Sequence, residues 1–534
     1  MKLTRTSDLW WKNAFIYCLD IETFADSDGD GCGDIRGLIQ HIDHLARLGV
    51  TCLWLMPFFP TPDRDDGYDI TDYYAVDPRL GTLGDLVELI RTARDRGMRV
   101  IADLVVNHTS AEHPWFVESR SSRDSAKRDW YVWQDEPPAD GPEGVVFPDQ
   151  ETSLWELDKK TEQYYLHRFY KHQPDLNVAN PEVRDEIARI MGFWMELGLS
   201  GFRVDAVPFL LETSGQDDGA NLADPHDYLA DLRSFMTRRN GEAVLLGEVN
   251  LPYPDLMPYF GAVDGGNTPD ELTMCFDFVG MQQMYLSLAR GDAEPMAEAL
   301  RRRPNPPADG HWATFVRNHD ELTLDKLTES QRQEVFAAFG PDEDMQVYGR
   351  GLRRRLPGML DGDQRRIRMV YSLLFALPGT PVLFYGEEVG MVEDLELPGR
   401  LAVRSPMDWA AVTEQRHDPD SLLRWMRLLV ESYRDCPELA WGSYTVLDPG
   451  PQARPVLAHR CDTEDASLVA LHNLGAEQVS ATPLLAGLAG RELNDVLDPA
   501  ADPVPVDEEG RIEVDLAGYG CRWLRVPSAE TTGG

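Results

Sequence analysis

Positive charge is scarce in this 534-residue chain: 51 Lys and Arg stand against 91 Asp and Glu, a formal net charge of −40. Nucleic acids and anionic membrane surfaces repel such a protein, so neither is expected as a partner. Lysine is the scarcer cation, seven residues against 44 arginines. The seven cysteines (Cys18, Cys32, Cys52, Cys275, Cys436, Cys461 and Cys521) are odd in number and form no Cys-x-x-Cys pair. That argues against a disulfide framework and for reduced thiols in a cytoplasmic protein. Long hydrophobic runs are also missing. The longest, Met369–Leu377, is about half the roughly 18 residues needed to span a bilayer. The first residues carry no apolar stretch of the kind that marks a signal peptide. A homo-oligomer is compatible with all of this.

Short apolar runs are plentiful. Eight of them read as strands: Phe15–Leu19, Cys52–Met56, Val100–Val106, Gly201–Asp205, Ala243–Glu248, Met274–Asp277, Thr314–Asn318 and Pro381–Tyr385. Amphipathic stretches such as Leu38–Leu48 and Leu83–Arg96 lie between them, with Arg near their ends as helix C-termini prefer. Strictly alternating strands and helices predict parallel βα units, and eight of them predict a (β/α)₈ TIM barrel. The barrel is expected to take residues 1–107 and 181–425. The interval 108–180 is too long for one helix and rich in Trp and Tyr, so it predicts an inserted subdomain after the third strand that rims the site. A second insertion, about 322–362, is polar and helical and suits a lid. After a closing helix at about 420–435, short alternating segments broken by Gly, Pro and Asp predict a C-terminal antiparallel β-domain, assigned to 426–534.

Three carboxylates stand at the C-terminal ends of apolar runs: Asp205, Glu248 and Asp320. That end of a (β/α)₈ barrel is where active sites are built. Arg203 and Asp205 lie two residues apart on a strand and so point the same way, and a guanidinium beside a carboxylate favours the ionised form. Glu248 follows Leu-Leu-Gly with no cation beside it in sequence, a setting that keeps a carboxyl protonated. One ionised and one protonated carboxyl is the pairing that retaining glycoside chemistry uses. His108 and His319, each beside a strand end, add groups that can bond sugar hydroxyls. After the second strand, Asp65 and Tyr68 can clamp one glucose by hydrogen bonds and ring stacking. Arg400 and Arg404, after the last strand, can pair a carboxylate or sugar hydroxyls, or remain surface arginines.

A second signal is Asp26-Ser-Asp28-Gly-Asp30-Gly-Cys32-Gly-Asp34. Acids at loop positions 1, 3, 5 and 9 with Gly at 6 copy the first part of a calcium loop, and Cys32 offers its carbonyl at position 7. Gly37 stands where an EF-hand has Glu. A Ca²⁺ ion here would be structural, and no organic cofactor is expected.

The stretches Asp103-Leu-Val-Val-Asn-His108, Gly201-Phe-Arg-Val-Asp205, Gly247-Glu-Val-Asn250 and Arg317-Asn-His-Asp320 resemble, in order, the four signature regions of the α-amylase superfamily of glycoside hydrolases. The resemblance covers roughly residues 8–410. It implies Asp205 as nucleophile, Glu248 as acid/base and Asp320 as transition-state stabiliser. It also implies His108, Arg203 and His319 around the first sugar, Asp65 and Tyr68 on the non-reducing glucose, and Arg400 paired with Asp65. For the acidic loop it implies Asp26, Asp28, Asp30, Cys32 and Asp34 as calcium ligands. Arg64-Asp-Asp-Gly-Tyr-Asp-Ile, Arg128-Asp-Trp-Tyr-Val-Trp and Arg317-Asn-His-Asp-Glu-Leu-Thr-Leu are most similar to the trehalose-synthase branch, which implies interconversion of maltose and trehalose. Gly247-Glu-Val-Asn-Leu-Pro-Tyr and Arg400-Leu-Ala-Val-Arg404-Ser-Pro-Met-Asp-Trp depart from that branch near the acceptor. An α-glucosidase acting on maltose, isomaltose or sucrose is therefore the alternative, and a catalytically inactive barrel the remote one. In each case the partner is a small α-linked disaccharide or oligosaccharide.

Overall fold

The computed structural model describes residues 9–136, 144–211, 226–261 and 271–526. Eight parallel strands close into a barrel: β1 Ile16–Leu19, β2 Cys52–Leu55, β3 Arg99–Leu104, β4 Gly201–Val204, β5 Val244–Gly247, β6 Met274–Phe276, β7 His311–Phe315 and β8 Thr380–Phe384. Each pairs with its neighbours in sequence, and β1 pairs with β8 (Ile16 opposite Val382). All strand residues but Arg99 are buried, because barrel strands meet side chains on one face and helices on the other. The strands end slightly earlier than the apolar runs do. Six of the eight stop one or two residues short, and β7 runs His311–Phe315 rather than Thr314–Asn318. Asp205, Glu248 and Asp320 therefore sit in the turns just beyond their strands, where the backbone is free to re-aim them.

Helices α1 Ile35–Leu48, α2 Leu83–Arg94, α3 Pro181–Glu196 and α4 His226–Arg239 follow strands β1 to β4, and α5 Phe278–Arg290 and α6 Glu294–Arg302 both follow β6. Their starts are chemically marked. Asp34 caps α1 by accepting the Gly37 N–H, and Thr82 with Asp85 forms a reciprocal capping box on α2. Between β7 and β8 lie α7 Glu329–Phe339 and α8 Gln364–Ala376. After β8 come α9 Trp409–Gln415 and α10 Leu422–Asp435.

The insertion after β3 holds a small antiparallel sheet, with Gln163–Leu166 between Trp133–Gln134 and Trp155–Asp158. The second insertion adds a three-stranded sheet of two-residue strands (Leu322–Thr323, Gly351–Leu352 and Gln346–Val347) beside α7. The C-terminal sheets begin at Ser443. A six-stranded antiparallel sheet and a two-stranded one enclose a core of their own that includes Leu471, Leu493 and Leu524. The boundary drawn at 426 falls inside α10, which packs on α1 and α8 of the barrel. No helix among the described residues is long and apolar enough to cross a membrane.

Candidate active site

The turns beyond β2, β3, β4, β5, β7 and β8 surround a cavity of about 440 Å³, a volume suited to a small ligand. Asp65, Tyr68, His108, Asp205, Glu248, Asp320 and Arg400 all line it. Arg203 and His319 lie directly behind this wall, both fully buried. All nine residues read from the sequence as catalytic or sugar-binding are thus in one place.

Arg203 organises the floor. Its Nη1 bonds both Asp103 and Asp205, and its Nη2 lies 2.8 Å from Glu248 Oε2. Glu248 therefore has a cationic neighbour after all. The sequence hides it because the contact spans adjacent strands, with Arg203 in register opposite Leu246. Ala206 takes φ 49°, a left-handed conformation costly for a residue with Cβ, and its N–H donates to Glu248 Oε2 at 3.0 Å. Burial, opposed by Arg203, raises the Asp205 carboxyl to about 6 and the Glu248 carboxyl to about 7. Arg203 favours the ionised form of Asp205, as its place on the strand predicts, but desolvation is the larger effect and Arg203 limits the rise it causes. The order of the pair survives. Asp205 ionises before Glu248.

Asp320 follows the opposite logic. Burial works against its charge, yet His319, Arg400 and Arg404 together hold it well below the usual carboxylate range. Its Oδ1 accepts from Arg400 Nη1 at 2.5 Å and Arg404 Nη2 at 3.2 Å, and Oδ2 lies 3.2 Å from His319 Nε2. Asp320 is a fixed anion. Burial lowers His108 to about 3 and, against the pull of Asp320, holds His319 below the ordinary imidazole value. Tyr68 stacks on the His319 ring with centroids 5.6 Å apart, and its hydroxyl meets Nε2 at 2.6 Å.

The end of the pocket that would hold the far side of the first sugar is closed by Arg400, whose Nη2 donates to Asp65 Oδ1 at 2.6 Å. Gln173, from the inserted subdomain, donates to the other Asp65 oxygen at 2.9 Å. The opposite end carries a different polar set. Asp325 accepts from Asn250 (3.0 Å), Gln282 (3.2 Å), Thr323 (3.2 Å) and Lys326 (2.8 Å). Over the top, Arg350 donates to the Val146 carbonyl at 2.8 Å and to Glu321 at 3.1 Å. The Phe147 ring packs on Tyr170 (4.6 Å) and Tyr348 (4.9 Å). The two insertions thus meet as a roof.

Sequence reasoning missed Asp103, Gln173, Asn250, Asp325 and Arg350 as parts of the site. Asp103 was findable: it occupies the same position of β3 that Arg203 has in β4, and the two are register partners. The others belong to loops whose approach no periodicity reports.

The acidic loop places carboxylate oxygens of Asp26, Asp28 and Asp34 within 4.8 Å of one another, while Asp30 stands outside that group. Asp30 accepts the Cys32 N–H at 2.8 Å instead, and the Cys32 thiol turns to the Gly33 carbonyl. Asp26 also accepts N–H groups from Asp28, Gly29 and Gly31.

Against known families, the α-amylase catalytic-domain model matches residues 15–338. The chain belongs to the α-amylase family. A second family model, the C-terminal domain of sucrose hydrolase-like proteins, matches residues 466–525. Among curated α-amylase relatives, the trehalose synthase of Pimelobacter sp. is 36% identical, over 98% of this chain and 97% of its own length. The trehalose synthase of Thermus thermophilus is 39% identical, over 96% of this chain and 55% of its own length. The chain thus spans about half of the Thermus protein. Among solved structures, an α-glucosyl transfer enzyme superposes with a TM-score of 0.77 at 28% identity, covering 97% of this chain and 99% of that one.

Proposed function

We propose that this α-amylase family member is a retaining transglucosylase that interconverts maltose and trehalose through a covalent glucosyl-enzyme. The observation that carries the reading is Arg203 bonded to both Asp205 and Glu248. One guanidinium holding two carboxylates keeps them close, as retention needs (about 5–5.5 Å) rather than the wider gap of inversion. The carboxyls at about 6 and about 7 then supply one nucleophile and one acid near neutral pH.

Asp205 attacks C1 of the non-reducing glucose while the α-1,4 bond breaks. Glu248 gives its proton to the departing O4, leaving a glucosyl ester on Asp205 and a free glucose. Asp320, the fixed anion, accepts hydrogen bonds from sugar hydroxyls and favours the positive charge that develops at C1. The freed glucose turns over and presents its anomeric hydroxyl. Glu248, now a carboxylate, takes that proton as the oxygen attacks C1 and expels Asp205. Two inversions give net retention and the α,α-1,1 bond. The Asp65–Arg400 pair limits the pocket to one glucose on the non-reducing side. Asn250, Asp325 and Lys326 face the sugar that turns.

Water in place of the glucose hydroxyl would make an α-glucosidase. The roof built from Arg350, Val146 and Phe147 favours transfer, since it covers the pocket where water would enter. An inactive barrel would be expected to lack one of the three acids, and all three are in place. Incubation with maltose separates the readings. Trehalose as the main product supports the isomerase, glucose alone replaces it with a hydrolase, and turnover in Asp205→Asn would overturn the mechanism.

We also propose that the Asp26–Asp34 loop holds a structural Ca²⁺. Asp26, Asp28 and Asp34 supply hard oxygen ligands at a suitable separation, joined by the Cys32 carbonyl and, after a small rotation, Asp30. The ion would tie the β1 loop to the start of α1 through Asp34. Seven free cysteines suit a reducing, cytoplasmic setting.

A further inference from the structure

In a chain of net charge −40, one face of the barrel wall gathers cations without partners. Arg424 and Arg427 are three residues apart on α10 and share a face of it. Arg416 follows α9, and the α9 end is pinned to the start of α10. Ser421 Oγ donates to the Gln415 carbonyl at 2.8 Å, and the Leu423 N–H donates to Gln415 Oε1 at 3.0 Å. Arg47 lies in the last turn of α1. Just beyond it, a Cβ built on Gly49 would stand 2.6 Å from Val430 Cγ1, so the end of α1 meets α10 one turn past Arg427.

Helix ends explain part of this. Arg47 and Arg416 stand at helix C-termini, where the macrodipole favours a cation. Arg424 does not fit, because it occupies the first turn of α10, the positive end. Arg427 fits least. Its Nε and Nη2 are buried with no hydrogen-bond partner, and burial, then Arg416, Arg47 and Arg424, lower its affinity for a proton, with Glu431 the opposing carboxylate. Elsewhere in this protein arginines pair readily, as Arg79, Arg203 and Arg400 do. Among the described residues none of these four side chains enters an ion pair.

We propose that Arg47, Arg416, Arg424 and Arg427 form a binding site for a phosphoryl group, either free phosphate or the phosphate of a sugar. A dianionic oxyanion matches several guanidinium forks and the positive end of α10, and it relieves the mutual repulsion of the cluster. Glucose itself offers no charge to such a site.

The test is calorimetric titration of the full chain, at fixed ionic strength set with chloride, with inorganic phosphate and separately with glucose 6-phosphate. Saturable binding of one ligand per chain is expected. Equal affinities identify free phosphate as sufficient; tighter glucose 6-phosphate identifies the sugar phosphate. The double variant Arg47→Ala/Arg424→Ala, at exposed positions, should weaken binding at least about tenfold while melting temperature and maltose turnover stay unchanged. Arg424→Glu alone gives a second reading and should abolish binding. No saturable uptake in either arm, or unchanged uptake in the variants, overturns the proposal.

Discussion

The two ends of the Arg203 guanidinium reach different carboxylates, and that division sets the proton inventory of the pocket. The proposed mechanism needs Asp205 ionised and Glu248 protonated. The rate therefore rises as pH passes upward through about 6 and falls as it passes through about 7, with both limbs belonging to the coupled pair. Arg203 lowers both carboxyls, so Arg203→Gln is expected to move both limbs of the kcat/KM profile to higher pH as well as to cut the rate. Unmoved limbs in a folded variant would remove Arg203 from this role. At this scale the sequence was informative wherever strand alternation speaks: Arg203 and Asp205 share a face because they are two residues apart. It was silent on the Arg203–Glu248 contact. That contact depends on the barrel register, and a register is a property of two strands rather than one.

The roof over the pocket comes from elements of little regular structure. The polar, helical character of the 322–362 insertion was legible, and α7 appears there as expected. The sheet beside it was not, because its strands are two residues long and carry no period. Arg350 belongs to this hairpin and holds the Val146 carbonyl of the other insertion. Each hydrogen bond to a charged donor of this kind contributes roughly 1.5–3 kcal/mol. Arg350→Ala is therefore expected to loosen the contact between the insertions and raise the share of maltose lost as free glucose about tenfold, with a melting temperature lower by no more than about 2–5 °C. Chromatography of the products checks it. An unchanged glucose share would mean that the roof does not exclude water.

Over the whole molecule, eight apolar runs separated by helical patterns were enough to name the barrel, since a parallel strand buried on both faces leaves a plain signature. The strand ends were less clear, because the apolar character runs on into the turns that carry the acids. The acidic loop Asp26–Asp34, proposed above to hold Ca²⁺, sits between β1 and α1, and Asp34 caps that helix. An ion held there would stabilise the fold through binding to the native state alone, by about 2.7 kcal/mol at a hundred times its dissociation constant. Chelation should then lower the melting temperature by about 2–3 °C, with recovery on adding Ca²⁺ and a smaller effect in Asp28→Ala. A melt indifferent to chelator would discard the ion.

The central claim is that the freed glucose stays in the pocket and is rejoined to the same glucosyl-enzyme. Unlabelled maltose turned over in the presence of excess ¹³C-glucose tests it most directly, with the trehalose analysed by mass at early times. Trehalose that is almost wholly unlabelled is the predicted result. Trehalose labelled in one ring in proportion to the added glucose would show that the acceptor leaves and returns from solution, and would contradict the account.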